Sequence, residues 1–311
     1  MEVLDIKLEV GARFEVGGLS VFPLTSRQRG ALAFLTGPEA LEAGLIEVDE
    51  LVPPVVEFLA ITNGADVPVL LVEGEMLIGA DQNRTMNLTV LCPAASTTIV
   101  PASCVEAGRW GEEGRRVVTI TRRHAPGSLR AAKTATLEMT FDDEPERYSD
   151  QRRIWDEVDR LSTVHGVDSD TSALDDVQVE MESRIAVQLN RISPLSDQVG
   201  VVCSIGASVV GVDLFDRPAA LDDYLQAIVA GHVLDVGAAS DADPVRAGAD
   251  PVSAIEPFFE GINAGAWTTN AGVGLGEELH LRGGLVGIGL VGIGLTYDDA
   301  LVHLAAFPTP A

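Results

Sequence analysis

The sequence predicts an α+β fold, in which a β-rich N-terminal unit is followed by central helices and a mixed C-terminal part. Three observations indicate this class. Short apolar runs separated by turn residues fill the first third of the chain, which is typical of a sandwich or a barrel-like unit. Apolar residues at helical spacing dominate the middle. The last third alternates between strand-like runs and helices, and one of its strands is rich in glycine.

The N-terminal unit begins with a series of apolar runs that we interpret as strands. The first two cover residues 19–25 (LSVFPLT) and 32–36 (LAFLT). Two longer runs then meet at residues 63–66 (NGAD), a combination that favours a tight turn. Pro93 and Pro101 mark the edges or the ends of the strands after them, because a proline nitrogen has no hydrogen to donate to a sheet.

Two helical patterns follow in the middle of the chain. Residues 150–166 place Ile154, Val158 and Leu161 on one stripe and end in a glycine, which commonly terminates a helix. A second helical pattern covers residues 179–195. We therefore expect two central helices.

The C-terminal part opens with the β-rich residues 198–215, followed by a helix whose apolar face includes Leu221, Leu225 and Ile228. It also contains the glycine-rich run 283–295 (GGLVGIGLVGIGL). Alternating glycine leaves one face of a strand bare, which permits close packing against a neighbour. The alternative is a surface that a ligand approaches closely.

The acidic segment 142–150 (DDEPERYSD) is a candidate hinge between two parts of the chain. We expect a β-rich unit over residues 1–145. A helical segment with a mixed α+β unit should cover residues 146–311, packed with the first unit as one large domain. At roughly 150 residues per domain, a length of 311 residues fits this division.

The composition is strongly acidic, with 47 Asp and Glu against 21 Lys and Arg and a formal net charge of -26. Such a surface repels the phosphates of nucleic acids and the headgroups of anionic membranes, so we expect neither as a partner. A local pocket lined by arginine is compatible with this charge, because net charge describes an average over the surface.

Three cysteines, Cys92, Cys104 and Cys203, cannot all pair and form no CxxC motif, which indicates a reducing compartment. The N-terminus lacks the basic and apolar regions of a signal peptide, and no apolar run reaches the length of a membrane helix. We therefore expect a cytoplasmic location.

Several common catalytic motifs are missing from the sequence. It has no GxxxxGK[ST] phosphate loop, no GxSxG nucleophile elbow and no HExxH metal motif. The five histidines are scattered, so the sequence predicts no local histidine metal site. A candidate site must come from other residue types.

One dense polar cluster remains, in residues 73–87 (EGEMLIGADQNRTMN) and 101–110 (PASCVEAGRW). If residues 70–77 form a strand, Glu73 and Glu75 point to the same face. Two like charges on one buried face either raise the pKa of a carboxyl group or require a cation, an arginine or a metal. The candidate residues are Glu73, Glu75 and Glu106 as catalytic carboxylates, and Asn83, Arg84, Asn87 and Arg109 as ligand-binding groups.

The two arginines of this cluster, Arg84 and Arg109, are the obvious counter-charges for Glu73 and Glu75. A purely structural interpretation stands beside this one, because Glu–Arg pairs often lock loops and asparagine commonly stabilises turns. A dense polar group beside an apolar strand is nevertheless costly unless it is paired or used, which favours a function for the cluster as a whole.

The two segments resemble the blocks GE-x-L-x-GA-x-QNR-x-x-N and P-x-SC-x-E-x-GRW of the ARG and rhodanese-phosphatase-superfamily-associated protein domain family. Looser matches follow at Gln151 with Trp155, at residues 213–215 (DLF) and at His303, so the resemblance covers most of the chain. The family's name refers to ADP-ribosylglycohydrolases. The resemblance therefore implies a role in or near ADP-ribose or NAD metabolism, by association.

Three functions fit the cluster. The first is an enzyme acting on an ADP-ribose-like or other phosphorylated nucleotide, with carboxylates in acid–base roles and arginines holding phosphate. A metal-dependent version would use a divalent metal with oxygen ligands, such as Mg²⁺, Mn²⁺ or Ca²⁺. The second is a non-catalytic nucleotide-binding or sensing module. The third is a structural or assembly protein, such as a homo-oligomer, whose polar cluster locks the fold.

Overall fold

The computed structural model describes residues 1–28, 30–79, 81–109, 118–137, 147–237, 250–285 and 288–310. Within these ranges the helices are α1 (Gly37–Glu42), α2 (Gly127–Thr136), α3 (Gln151–His165), α4 (Leu174–Leu189), α5 (Pro218–Val233) and α6 (Val252–Ala264). None of these helices is both long enough and apolar enough to span a bilayer. Trp110 and residues 142–146 of the predicted hinge lie outside the described residues.

The strands are short in the first third of the chain and longer near the C-terminus. They are β1 (Glu2–Val3), β2 (Ile6–Lys7), β3 (Glu9–Val10), β4 (Phe14–Val16), β5 (Leu19–Thr25), β6 (Leu35–Thr36), β7 (Ile46–Glu50), β8 (Phe58–Asn63), β9 (Val69–Leu71), β10 (Glu75–Gly79), β11 (Arg84–Met86), β12 (Val90–Cys92), β13 (Ser96–Cys104), β14 (Val118–His124), β15 (Gln198–Ile205), β16 (Ser208–Phe215), β17 (Ala266–Ala271), β18 (Glu277–Leu285), β19 (Ile288–Tyr297) and β20 (Ala300–Pro308).

Six of the N-terminal strands close into a barrel with the order β10-β11-β13-β8-β7-β14. Every pairing around this barrel is antiparallel. Side chains alternate between its two surfaces, so Leu59 and Ile61 of β8 are completely buried while Ala60 and Thr62 are half-buried. The fold is therefore α+β, and its β-rich unit is a barrel, one of the two forms that the sequence predicts.

A nine-stranded sheet forms the second large element, with the order β17-β18-β19-β20-β16-β15-β5-β3 and with β4 paired to β5. All its pairings are antiparallel. β5 lies beside β15, so the sheet draws on both sides of the proposed boundary at residue 145. The division of the chain into two units stays a prediction.

Helices and the barrel cover the two faces of the large sheet. On one face, Phe258 of α6 packs in a core with Phe22. On the other face, Leu225 of α5 packs in a core with Val21, and the barrel core continues into Phe307 of β20. The sheet is thus the central layer, which is why β5, β15 and β20 are buried on both sides.

The two central helices are present, one where predicted and one displaced. The carboxylate of Asp150 accepts hydrogen bonds from the first turn of α3, and Gly166 closes that helix with φ +64°. α4 covers Leu174–Leu189 instead of residues 179–195, because two aspartates in its first turn favour an earlier start.

The glycine-rich run 283–295 lies on the hairpin of β18 and β19 rather than on a single strand. A Cβ atom at Gly292 would stand 2.9 Å from the carbonyl oxygen of Ala305. A Cβ atom at Gly294 would stand 2.9 Å from that of His303. The bare face therefore serves close packing between strands, one of the two interpretations of this run.

The three cysteines are buried and unpaired. Cys92 belongs to the barrel core, and Cys203 belongs to the core between α5 and the large sheet. Cys104 ends β13. Burial raises the pKa of Cys92 to about 12 and also raises the pKa of Cys104 and Cys203, so all three are neutral thiols at physiological pH.

Candidate functional site

The strand predicted over residues 70–77 is interrupted. β9 ends at Leu71 and β10 begins at Glu75, with a turn between them in which Gly74 has φ +88°. A Cβ atom at Gly74 would collide with the imidazole of His124. The expectation that Glu73 and Glu75 share one strand face is therefore wrong, because the chain reverses its local direction between them.

Glu73 lies in a fully buried ion cluster, called here the Glu73 cluster and made of Glu73, Arg130, Lys133 and Asp213. Its Oε2 stands 2.8 Å from Arg130 Nε, and its Oε1 stands 2.6 Å from Lys133 Nζ. Burial alone would raise the pKa of Glu73, but Arg130 and Lys133 together lower it to about 2. Glu73 is thus a carboxylate at every physiological pH.

The Glu73 cluster extends from the barrel to the large sheet through α2. Arg130 donates to both carboxylate oxygens of Asp213 on β16, at 3.1 and 2.6 Å. Burial opposes ionisation of Asp213, yet Arg130 holds the pKa of this carboxyl well below its usual range. His303 Nε2 lies 3.4 Å from Asp213 Oδ1. The centroid of the Phe307 ring lies 4.7 Å from Arg130 Cζ, so the guanidinium stacks over this ring. Two positive and two negative charges balance in this fully buried cluster.

Glu75 occupies a separate and almost completely buried environment near Asp223 and Tyr224. Its Oε2 accepts a hydrogen bond from the backbone nitrogen of Val72 at 3.0 Å, while its Oε1 has no hydrogen-bond partner within the described ranges. Burial raises the pKa of Glu75 to about 8. Glu75 is therefore a neutral carboxylic acid at pH 7, unlike Glu73.

Three of the predicted residues converge in what we call the Glu106 cluster, made of Asn83, Glu106 and Arg109. Arg109 donates from Nε to Glu106 Oε1 at 2.9 Å and from Nη2 to Glu106 Oε2 at 2.7 Å. Its Nη2 also donates to Asn83 Oδ1 at 3.1 Å. The hydroxyl of Thr171 donates to the same carboxylate at 2.8 Å. Burial opposes ionisation, but these donors lower the pKa of Glu106.

Arg84 and Asn87 lie apart from both clusters. Arg84 forms a bidentate ion pair with Glu50, in which Nη1 lies 2.7 Å from Oε1 and Nη2 lies 3.2 Å from Oε2. Asn87 accepts a hydrogen bond from Ser103 at 2.6 Å and donates to the backbone of Arg147. The prediction that Arg84 and Arg109 neutralise Glu73 and Glu75 is therefore wrong.

The register of the barrel explains this outcome. Arg84 of β11 stands opposite Leu77 of β10, two positions beyond Glu75. Arg84 also stands opposite Cys104 of β13, which brings Asn83 next to Glu106. The residues that meet are those that strand pairing joins, rather than those with complementary charges.

Sequence reasoning missed Arg130, Lys133 and Asp213. Two signals were present: Lys133 is one of only two lysines in the chain, and Asp213 is the single charged residue of the strand SVVGVDLF. A rare charge inside an apolar element indicates a buried partner.

None of the seven predicted residues lines either of two neighbouring clefts that open at the edge of the large sheet. The first, called the cation cleft, has a volume of about 720 Å³. Its wall includes Lys7, Glu9, Thr25, Ser26, Arg27, Gln28 and Asp197. The second, called the carboxylate cleft, has a volume of about 250 Å³ and includes Asp5, Ser26, Gln28, Phe215, Asp216 and Asp299.

Ser26 and Gln28 line both clefts, and hydrogen bonds hold them in place. The Gln28 side chain accepts from Lys7 N at 2.7 Å and donates to the carbonyl oxygen of Asp5 at 3.1 Å. Ser26 N donates to the carbonyl oxygen of Asp197 at 3.1 Å. The wall between the clefts is thus tied to β2 on one side and to β15 on the other.

The described part of the chain contains no group of three or more His, Cys, Asp and Glu side chains arranged to hold a metal ion.

The family model described as "ARG and Rhodanese-Phosphatase-superfamily-associated Protein domain" matches residues 7–307, almost the whole chain. No curated protein matches the sequence, and no solved structure matches it.

Proposed function

The chain belongs to the ARG and Rhodanese-Phosphatase-superfamily-associated Protein domain family, and from that premise we propose that it is a binding module for a phosphorylated, nucleotide-like small molecule. The ligand occupies the cation cleft. The family's association with ADP-ribosylglycohydrolases makes ADP-ribose the first ligand to test. One observation carries the proposal: Lys7 and Arg27 both line this cleft, and neither forms an ion pair with any described residue.

It is unusual on this surface for one cleft to hold two cations that have no ion-pair partner among the described residues. Acidic residues outnumber basic ones by 47 to 21, so a carboxylate stands within reach of most cations. Glu9 and Asp197 also line the cleft, yet neither approaches Lys7 or Arg27 to ion-pair distance. A guanidinium fork and an ammonium are the groups that proteins use to hold phosphate. Their local charge would draw an anion into a cleft that the protein's average charge repels.

The remaining wall of the cation cleft suits the same ligand. Thr25, Ser26 and Gln28 supply hydroxyl and amide groups beside the two cations. A volume of about 720 Å³ lies within the range of roughly 300–1,000 Å³ that small-molecule sites occupy. The cleft therefore has room for a nucleotide as well as groups that would orient it.

The buried clusters argue against catalysis at the seven predicted residues. Catalysis there would require Glu73, Glu75 and Glu106 to reach one substrate. Glu73 and Glu106 are held in separate ion pairs, and Glu75 is buried apart from both. The arrangement supports a structural role for these residues, which is the lock that the third hypothesis describes.

Titration calorimetry with ADP-ribose and with inorganic pyrophosphate tests the proposal. Lys7→Ala and Arg27→Ala should each lower the affinity for both ligands by about tenfold to a hundredfold. The reason is that a hydrogen bond to a charged group is worth roughly 1.5–3 kcal/mol. Arg184→Ala is the matched control, since it removes an exposed arginine of α4 that pairs with Glu180 away from both clefts.

Each result decides between the hypotheses. If neither ligand binds the wild-type protein at millimolar concentration, the proposal is wrong. Binding that survives the double substitution Lys7→Ala/Arg27→Ala would place the ligand elsewhere. Turnover of ADP-ribose that Glu75→Gln abolishes while binding persists would favour the enzyme instead.

A further inference from the structure

We infer that the carboxylate cleft is a second subsite for the same ligand, in which Asp216 accepts hydrogen bonds from the vicinal hydroxyls of a pentose. This inference rests on the proposed function, because it assigns the sugar of a molecule whose phosphate lies in the cation cleft. It narrows the ligand class to phosphorylated pentoses and nucleotides that carry a 2-hydroxyl and a 3-hydroxyl.

Asp216 has an unused acceptor. It follows β16 directly, and only 6% of its surface is exposed. Its Oδ2 lies 3.0 Å from Arg217 Nη1, whereas its Oδ1 has no hydrogen-bond partner in the part of the chain that the structure describes. Arg217 also donates to the carbonyl oxygens of Leu32 and Phe34, so most of its hydrogen bonds go to the backbone and not to Asp216. A buried carboxylate oxygen without a donor is costly, and a ligand hydroxyl in the cleft would remove that cost.

The loop at Gly30 packs closely against Asp216, which is also a lining residue of the carboxylate cleft. Gly30 donates its backbone N–H to the carbonyl oxygen of Asp216 at 2.8 Å. A Cβ atom at Gly30 would collide with the Asp216 carboxylate. The absence of a side chain at this position therefore gives the Asp216 carboxylate its space beside the loop.

The walls of the carboxylate cleft suit a sugar better than a whole nucleotide. Its volume of about 250 Å³ is below the roughly 300 Å³ at which complete ligand sites begin, so it accommodates one group of a larger molecule. Leu4, Phe215 and Leu301 offer apolar contacts for a ring. Asp5 and Asp299 lie on exposed turns at the rim, where they add further acceptors.

The chemistry of the two clefts is complementary. Lys7 and Arg27 supply donors to the first, beside the carboxylates of Glu9 and Asp197, whereas Asp5, Asp216 and Asp299 supply acceptors to the second. A carboxylate that accepts from ribose hydroxyls is a recurrent way of recognising nucleotides. A molecule with a phosphate at one end and a diol nearby would satisfy both clefts across the shared wall of Ser26 and Gln28.

The test compares ribose 5-phosphate, 2-deoxyribose 5-phosphate and inorganic pyrophosphate by titration calorimetry. The wild-type protein should bind ribose 5-phosphate about tenfold or more tightly than its 2-deoxy analogue, since the analogue leaves the Asp216 oxygen unpaired. Asp216→Asn, which conserves the shape of the side chain, should reduce this preference to about twofold or less. Its affinity for pyrophosphate should stay within about twofold of wild type. Asp222→Asn, an exposed change that lines neither cleft, should behave as wild type.

The possible failures are distinguishable. If pyrophosphate binds through Lys7 and Arg27 but the wild-type protein does not distinguish the two sugars, the inference is wrong and the proposed function stands. The same holds if Asp216→Asn keeps the preference for ribose. If no ligand binds at all, both proposals are wrong. Should Asp216→Asn fail to fold, Asp299→Asn at the exposed rim is the second variant, and a preference that it leaves fully intact counts against the subsite.

Discussion

Glu73 and Glu75 stand two positions apart in the chain, yet one is held as a carboxylate and the other as a carboxylic acid. Glu73 Oε2 lies 2.8 Å from Arg130 Nε, whereas Glu75 Oε1 has no hydrogen-bond partner among the described residues. The pKa of Glu73 is lowered to about 2 and that of Glu75 is raised to about 8. A continuous strand would have placed both side chains on one face, but the turn at Gly74 directs them into two different environments.

Glu75→Gln should stabilise the protein at alkaline pH. The folded-state pKa of about 8 lies above the ordinary value of 4.5, so the folded protein holds a proton that the unfolded chain releases as pH rises. The free energy of unfolding should therefore fall between pH 4.5 and 8, by an amount on the order of 5 kcal/mol at about 1.4 kcal/mol per pKa unit. Urea unfolding at pH 5 and at pH 9 measures this contribution. The variant should match wild type at pH 5 and exceed it at pH 9, and parallel curves for the two proteins would contradict the assignment.

Glu73→Gln should destabilise the protein at neutral pH by about 3–5 kcal/mol, because it leaves Arg130 and Lys133 with one carboxylate between them in a dry interior. The folded pKa of Glu73 is lowered, so its contribution is present above pH 4.5 and is lost as pH falls toward 2. Urea unfolding at pH 7 measures the loss.

A double substitution separates charge balance from the loss of a contact. Lys133→Met removes the ammonium that pairs with Glu73, and it also removes a donor to the carbonyl oxygen of Met86. Glu73→Gln/Lys133→Met restores neutrality, so it should be less destabilised than the sum of the two single variants, by about 1–3 kcal/mol. Strict additivity would show that the two charges do not interact.

Glu106→Gln should lower stability without altering ligand binding. The substitution weakens the hydrogen bonds from Arg109 and Thr171, each of which reaches the carboxylate at 2.9 Å or less. We expect a loss of about 2–3 kcal/mol, since hydrogen bonds to a charged group are among the stronger ones. Calorimetric melting measures the loss, and pyrophosphate affinity should stay within about twofold. A large fall in pyrophosphate affinity with an unchanged melting temperature would instead indicate that the Glu106 cluster binds the ligand.

Ligand binding in the cation cleft should weaken with salt. Lys7 and Arg27 are exposed, so ions in solution screen their attraction for a phosphate. Between about 0.05 and 0.5 M sodium chloride we expect pyrophosphate affinity to fall by about tenfold, as screening shortens the range of the attraction from roughly 14 Å to roughly 4 Å. Lys7→Ala should show a shallower dependence in the same titrations. Equal slopes for the two proteins would mean that Lys7 does not face the ligand.

Local patterns in the sequence were sufficient for α3, for a β-rich N-terminal unit and for the convergence of Asn83 with Glu106. In each case the determining contacts are short in range or follow from regular strand pairing, as the pairing of Arg84 with Cys104 shows. Asp150 and Gly166 mark the ends of α3 in sequence and in structure alike.

The partners of Glu73 could not be predicted in this way. Arg130 is 57 residues from Glu73 and 83 residues from Asp213, and α2 places it between a barrel and a sheet whose closure no local pattern specifies. Charge complementarity alone suggested Arg84, but Glu50 competes for it with two hydrogen bonds. The clefts were missed for a related reason, since they gather residues from β2, the loop after β5, β15 and the turn after β19.

The three buried thiols can be used to follow local unfolding of the protein by chemical labelling. Cys92 lies in the barrel core and Cys203 in the layer between α5 and the large sheet, so a thiol reagent reaches each one only when its own layer opens. Labelling rates of variants that keep one cysteine at a time would show whether barrel and sheet open together or in sequence. Equal rates would mean that the Glu73 cluster couples the two layers into a single cooperative unit, and a faster rate at one cysteine would identify the layer that gives way first.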